Sequence, residues 1–193
     1  MKSITVFCGS SLGSENIYQE QAALLGQALA AQDIRLIYGG ANVGLMGAVA
    51  DGCLQAGGSV TGVLPYFLQS KEIAHTGLTE LVLVETMHER KTTMNDLCDG
   101  VIMLPGGYGT LEEFFEMITW AQLGLHQKPI GILNIGGFYD DLIKMVRTMV
   151  DKGFLKQINQ DMMLISGNID DLLEMMKNYE APTVGKWISR DEV

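Results

Sequence analysis

Basic side chains are scarce in this chain: 13 Lys and Arg stand against 23 Asp and Glu in 193 residues, a net charge of −10. That balance argues against nucleic acid polymers and anionic membranes as partners, because both present phosphate and want a basic face. Charged residues of either sign amount to only 19%, against 47% hydrophobic, which excludes a disordered chain. Cysteine is limited to Cys8, Cys53 and Cys98, an odd, widely spaced set without C-x-x-C. Neither a disulfide framework nor a thiolate zinc site is indicated, and buried reduced thiols in the cytoplasm are expected. No apolar stretch reaches the ~18 residues of a membrane span. The first apolar run, 4–8, breaks at once into polar 9–16, too early for a secretory signal. Internal repeats, low-complexity tracts and linkers are missing as well. Glycine, by contrast, is abundant at 23 residues. A phosphate ligand would have to be held locally, against the net charge.

The length fits one compact domain. Six short, mostly apolar runs at 4–8, 34–38, 60–64, 81–84, 101–104 and 130–134 predict strands buried on both faces. Helical patterns at about 16–31, 44–56, 88–98, 110–124 and 138–152 alternate with them, and a terminal helix is expected near 169–178. Leu142, Met145, Val146, Met149 and Val150 form the cleanest amphipathic stripe. The 12 methionines fall mostly at helical spacing and read as core filler. Strand–helix alternation predicts an α/β fold of three layers, a mostly parallel central sheet with helices on both faces. The domain is expected to span 1–180, with 181–193 a loosely attached tail carrying Pro182, Gly185 and Trp187.

Ligands on such sheets bind beyond the carboxyl ends of the strands. The residues there are Gly9-Ser10-Ser11, Gly39-Gly40, the 85–91 stretch and the glycine loop 105–110. In Leu104-Pro105-Gly106-Gly107-Tyr108-Gly109-Thr110-Leu111-Glu112-Glu113 a buried strand runs into three glycines and a helix start. Backbone N–H groups and a helix dipole then converge on one spot, an anion site; a plain strand-to-helix turn is the bland alternative. A second loop, 39–47, has the same design. Gly39 and Gly44 have the spacing of a triphosphate-binding loop, but Leu45-Met46 stands where Lys-Ser/Thr is required. Gly107-x-Gly109-x-x-Glu112 lacks the third glycine of the dinucleotide fingerprint. A monophosphate fits better than either.

Arg90-Lys91 is the only adjacent basic pair and follows a predicted strand, so it can hold a phosphate, or else be a solvated pair on a helix. His88 lacks the second histidine of H-E-x-x-H, and His75 and His126 have no ligand-like partners at helical spacing; no metal is expected. Glu112, Glu113 and Glu116 crowd the first turns of the helix after the glycine loop. Compensation of the helix dipole accounts for Glu112 and Glu116. Glu113, beside an anion cradle and opposite an arginine, can also stabilise positive charge developing on a bound sugar, as glycosidic hydrolysis requires. Spacing alone leaves both readings of Glu113 open.

These residues resemble the LOG ("lonely guy") family of cytokinin riboside 5′-monophosphate phosphoribohydrolases. The nine residues 105–113 match its P-G-G-x-G-T-x-x-E motif. The likeness extends through Val6–Ser11, Tyr38-Gly39-Gly40, Met87–Lys91, Ile118–Gly124, His126, Lys128-Pro129 and Gly137–Tyr139, over about 1–180. It implies a Rossmann-like fold, a homodimer, and neither metal nor cofactor; the cytoplasm is expected by default, from the missing secretory signal and membrane span. It also implies hydrolysis of the N-glycosidic bond of a nucleoside 5′-monophosphate to free base and ribose 5-phosphate, an EC 3.2.2 type activity. Carried over by motif, Arg90 and Glu113 are the catalytic pair. Lys91, Gly107, Tyr108, Gly109, Thr110, Leu111 and Glu112, with Gly39, Gly40 and Thr119, bind substrate, and Glu72 is a substrate contact. Two alternatives remain: a general nucleosidase acting on AMP in purine salvage, and a non-catalytic nucleotide or cofactor carrier. A lysine decarboxylase would need a pyridoxal-linked lysine in a much larger chain, which nothing here resembles.

Overall fold

In the computed structural model, residues 1–69 and 74–182 are described. Seven strands, β1 (Ser3–Phe7), β2 (Arg35–Tyr38), β3 (Val60–Pro65), β4 (Glu80–Val84), β5 (Gly100–Met103), β6 (Ile130–Leu133) and β7 (Met163–Ser166), form one sheet. Every pairing is parallel, in the order β4-β3-β2-β1-β5-β6-β7. The helices are α1 (Asn16–Ala31), α2 (Gly44–Gln55), α3 (Tyr66–Gln69), α4 (Met87–Leu97), α5 (Tyr108–Gln122), α6 (Asp140–Asp151), α7 (Gln157–Gln160) and α8 (Ile169–Lys177). A 3₁₀ turn, Ile135–Gly137, precedes α6.

Strand periodicity divides the core in two. Ile4, Val6 and Cys8 join Leu36 and Tyr38 under α1, α2 and α8, whereas Phe7, Ile37 and Met103 face α4 and α5 on the other side. Burial on both faces is why the strands read as apolar runs rather than alternating ones. On the first face α1 and α2 approach to backbone contact. A Cβ on Gly26 would stand 2.2 Å from the Val49 carbonyl oxygen, and one on Gly52 would stand 2.2 Å from that of Ala23.

The chain winds outward from β1 to β4 and then crosses back to β5 on the other flank of β1. The order therefore reverses between β1 and β5, and a crevice opens beyond their carboxyl ends. There Gly9 N–H donates to the Pro105 carbonyl at 3.0 Å, holding the β1 and β5 loops against each other.

The three-layer α/β architecture matches the sequence reading, and all six expected strands are present. β7 is an addition: a half-buried edge strand of Met-Leu-Ile-Ser, with one β-branched residue and no fully buried side chain, carries little strand signal. The short α3 and α7 were likewise not anticipated. In the α6 stripe only Val146 is buried and Met145 is 53% exposed, so this helix shows apolar side chains to solvent that the core-filler reading placed inside. No helix among the described residues is long and apolar enough to cross a membrane. Glu72, Gly185 and Trp187 lie outside the described residues.

Candidate active site

A cleft of about 260 Å³ occupies the crevice between β1 and β5. Three segments build it. The first is the amino end of α5, where Gly107 serves as N-cap with no side-chain hydrogen bond. The first-turn amides of an α-helix have no intrahelical acceptor. With a glycine cap and the exposed Gly109 leaving room, those of α5 stay directed at the cleft, and the buried Thr110 lines it as well.

The second segment is α4. Thr86 caps the helix: Glu89 N–H donates to Thr86 Oγ1 at 3.0 Å, while Glu89 Oε2 reaches back past the cap and accepts from Glu85 N–H at 2.8 Å. At the other end the Met94, Leu97 and Asn95 carbonyls accept from Thr5, Ser3 and Lys128. So anchored, α4 drives Arg90 inward until it is 6% exposed. Its Nε donates to the Val63 carbonyl at 3.0 Å and its Nη2 to that of Gly39 at 2.9 Å. Among the described residues no carboxylate pairs with it within 4.0 Å. Burying a guanidinium without a partner anion is costly, and Arg90 lines the cleft, where an anionic ligand would offset that cost.

The third is the end of β1, residues 6–10, and Glu113, one turn into α5, faces the same space. Burial pushes its carboxyl up from the ordinary 4.5 to about 7; Arg90 and Lys91 pull the other way, and Glu112 and Glu116 add to the rise. A carboxyl poised near neutrality inside a cleft is what proton transfer at physiological pH requires.

The structure thus brings together Gly39, Arg90, Gly107, Tyr108, Gly109, Thr110 and Glu113. Lys91 and Glu112 meet each other at 2.5 Å, outside the cleft lining, and Glu116 completes that cluster at 3.0 Å. Leu111 packs against the second core cluster. Thr119 is exposed nine residues along α5 from Thr110, about 13 Å away at the helical rise. Gly40, with φ +81°, turns the chain behind the cleft and accepts His75 N–H at 3.0 Å. The second glycine loop is no anion cradle. Gly44 lies so close to the Ser10 backbone that a Cβ there would stand 2.2 Å from the carbonyl carbon, and Leu45 N–H is spent on the Gly9 carbonyl. This loop props up the β1 end.

His75 holds the 74–77 turn against α2. Its Nδ1 accepts Gly77 N–H at 3.0 Å, so Nε2 carries the proton and donates to Asp51, also at 3.0 Å. Sequence reasoning missed Cys8, Met46 and Met94 as cleft residues. A buried thiol and two helical methionines look the same whether they fill a core or floor a pocket. Burial and, secondarily, Glu113 hold the Cys8 thiol neutral.

A family profile described as "Possible lysine decarboxylase" matches residues 46–176. The chain is 42% identical over 176 residues to cytokinin riboside 5′-monophosphate phosphoribohydrolase LOG2 of Arabidopsis thaliana, covering 91% of this chain and 83% of that protein. It is 44% identical over 179 residues to LOG7 of the same plant, with 93% and 82% covered. Against the probable cytokinin riboside 5′-monophosphate phosphoribohydrolase LOGL2 of Oryza sativa subsp. japonica the figure is 42% over 187 residues, with 97% and 76% covered. Among solved structures, the molybdenum cofactor binding protein from Rippkaea orientalis superposes with TM-score 0.68 at 22% identity, covering 92% of this chain and 96% of that one. That likeness concerns the fold.

Proposed function

Because the chain belongs to the LOG family of cytokinin riboside 5′-monophosphate phosphoribohydrolases, we propose that it hydrolyses the N-glycosidic bond of cytokinin riboside 5′-monophosphates and of AMP. The products are the free base and ribose 5-phosphate. The observation that carries this reading is Glu113, poised near neutrality, sharing a cleft with an Arg90 that has no carboxylate partner among the described residues, at the open amino end of α5.

In this reading the first-turn amides of α5 and Thr110 hold the 5′-phosphate, with the helix dipole adding to the attraction. Arg90 orients the nucleotide and offsets its charge. As the glycosidic bond breaks, its electron pair leaves with the base, which takes up a proton from solvent water, and the proton that Glu113 later gains from the attacking water returns to solvent to close the balance. Glu113 as the anion stabilises the ribosyl cation and accepts the proton of the water that adds to the anomeric carbon. The decarboxylase description does not fit the chemistry present. Among the described residues no lysine lines the cleft, so none is placed to bind pyridoxal phosphate. The same reading carries a homodimer, with Tyr66, Phe67 and Tyr108 as exposed aromatics for a contact, and a cytoplasmic enzyme with three free buried thiols. Light scattering in solution checks the dimer.

Incubation with a panel of nucleoside 5′-monophosphates, followed by chromatography of the released base, tests the activity. AMP and isopentenyladenosine monophosphate should both release base, and the ratio of their kcat/KM values separates a cytokinin enzyme from a general nucleosidase. The matching nucleosides without phosphate should react at least ~10²-fold more slowly, given the strength of charge-assisted hydrogen bonds. Equal rates would remove the phosphate cradle, and no release from any nucleotide would favour a carrier.

The glycines of the cradle divide into two kinds. A Cβ on Gly107 meets nothing within 4 Å, whereas one on Gly106 would stand 2.2 Å from Thr110 Oγ1 and 2.9 Å from Gly9 N. Gly107→Ala should therefore keep its stability within about 0.5 kcal/mol while weakening AMP binding. Gly106→Ala should lose about 1–3 kcal/mol through forced displacement of Thr110. Thermal denaturation and calorimetric titration with AMP distinguish the two.

A further inference from the structure

We propose that Lys91 is a positioning residue rather than a phosphate ligand: its ammonium, shared by Glu112 and Glu116, ties α4 to α5 and so sets Arg90 opposite Glu113. Its kinetic consequence rests on the phosphoribohydrolase reading above; its geometric basis does not.

The side chain of Lys91 is 12% exposed, with Nζ 2.5 Å from Glu112 Oε1 and 3.0 Å from Glu116 Oε2. Glu112 and Glu116 are four residues apart on α5, so one ammonium bridges consecutive turns of a single helix face. Without it, two like charges at that spacing would repel. Although partial burial works against the ammonium, its hydrogen bond to Glu112 and its ion pairing with Glu112 and Glu116 raise the Lys91 pKa. The cation is thus committed to carboxylates at the place where a phosphate would have to compete for it.

Adjacent residues on a helix point about 100° apart. Arg90 and Lys91 on α4, and Glu113 and Glu112 on α5, are two such adjacent pairs. One member of each pair lines the cleft, and the other member of each joins the Lys91 cluster. The turn that presents Arg90 therefore also presents Lys91, and the turn that presents Glu113 also presents Glu112. Locking the outer pair fixes the rotation and separation of the inner pair. A displacement of about 1 Å in such a pair can cost on the order of 10²-fold in rate.

The same cluster bears on the charge of Glu113. Facing that carboxyl are Arg90 and Lys91 from α4, Glu112 and Glu116 from its own helix, and the Cys8 thiol at the end of β1. Losing Lys91 leaves two unpaired carboxylates beside Glu113; losing both carboxylates leaves two cations. The acid limb of kcat/KM should shift in opposite directions in the two cases, although both break the tie.

Two variants test this, Lys91→Met and the double variant Glu112→Gln/Glu116→Gln. Each should lower kcat by about 10–100-fold while the Kd for AMP stays within about 3-fold of the parent. The acid limb should move to higher pH in Lys91→Met and to lower pH in the double variant. Lys91→Arg, which can still reach both carboxylates, should recover most of kcat. A phosphate ligand gives the reverse: Lys91→Met would bind AMP at least about 10-fold more weakly with adenosine unaffected, and the double variant, with Lys91 released, would bind AMP more tightly at unchanged kcat. Either result overturns the proposal. The carboxyl of Glu113, followed by ¹³C NMR in the resting protein, should titrate higher in Lys91→Met and lower in the double variant, and an unmoved titration also overturns it. The AMP Kd values of the two variants decide between tie and ligand even if the parent protein releases no base, an outcome that would defeat the functional reading alone. If Lys91→Met fails to fold, the double variant, altering one exposed and one mostly buried glutamate at the helix surface, carries the same distinction.

Discussion

Glu113→Gln should cut turnover at least about 10²-fold and yet make the protein more stable in mildly alkaline solution. The glutamine keeps the shape of a protonated glutamic acid but can neither accept a proton nor carry charge. A kcat loss between about 10² and 10⁴ is the scale of a removed general base. In the parent protein kcat/KM should rise with pH through about 7 as Glu113 ionises, then level off. The stability effect follows from the same burial. Glu113 is harder to ionise in the folded chain, so between its ordinary 4.5 and about 7 the native state holds a proton that the unfolded state has lost. Where the native state binds more protons, stability falls as pH rises. The buried carboxylate therefore costs the parent protein on the order of 3 kcal/mol above pH 7 and little below pH 5. The variant escapes that cost. Its melting temperature should match the parent at pH 5 and exceed it at pH 8.5. Near-normal base release from the variant would remove Glu113 from the chemistry, and equal melting temperatures at both pH values would show that the carboxyl is not desolvated.

That trade between stability and function explains which parts of the site were legible in the sequence. Glu113 and Arg90 stood out because a glycine-opened helix and a basic pair in so acidic a chain are each conspicuous, and their chemistry is complementary. Lys91 is conspicuous for the same reason. A basic pair after a strand reads alike whether its second member meets a ligand or two glutamates, and only the phase of α4 against α5 decides. Glu112 and Glu116, read as dipole compensation, are in fact the partners of that lysine. The sheet was readable because strands buried on both faces advertise themselves as apolar runs, and β7 was missed because an edge strand does not. The second glycine loop has the composition of an anion site, but Gly44 is needed where α2 abuts Ser10, a contact between distant segments that local pattern cannot express. The scarcity of basic residues takes on a specific meaning in this light. Among the described residues Arg90 is the one cationic side chain in the cleft lining, and the dipole of α5 adds to its potential.

The burden on that guanidinium makes Arg90 the second position where a large effect is expected. Arg90→Ala should lower kcat/KM by about 10³-fold or more, as loss of a preorganised charge does, but stability should suffer too. The Val63 and Gly39 carbonyls, each bonded to Arg90, would be left without that donor in a buried site, at about 1–3 kcal/mol apiece. Arg90→Lys should not rescue turnover, since a single ammonium cannot reproduce a planar fork that reaches two carbonyls and a ligand together. Gly39→Ala separates position from charge. Its added Cβ would stand 2.0 Å from Arg90 Nη2 and 2.5 Å from Met46 Cε, so the guanidinium has to move although no charge is removed. If Arg90 works by where its charge is held, this methyl group should lower kcat by about 10²-fold while the protein remains folded and AMP still binds. Normal turnover in Gly39→Ala would mean that the charge alone suffices. The two carbonyls gripping Arg90 would then serve the fold and not the reaction.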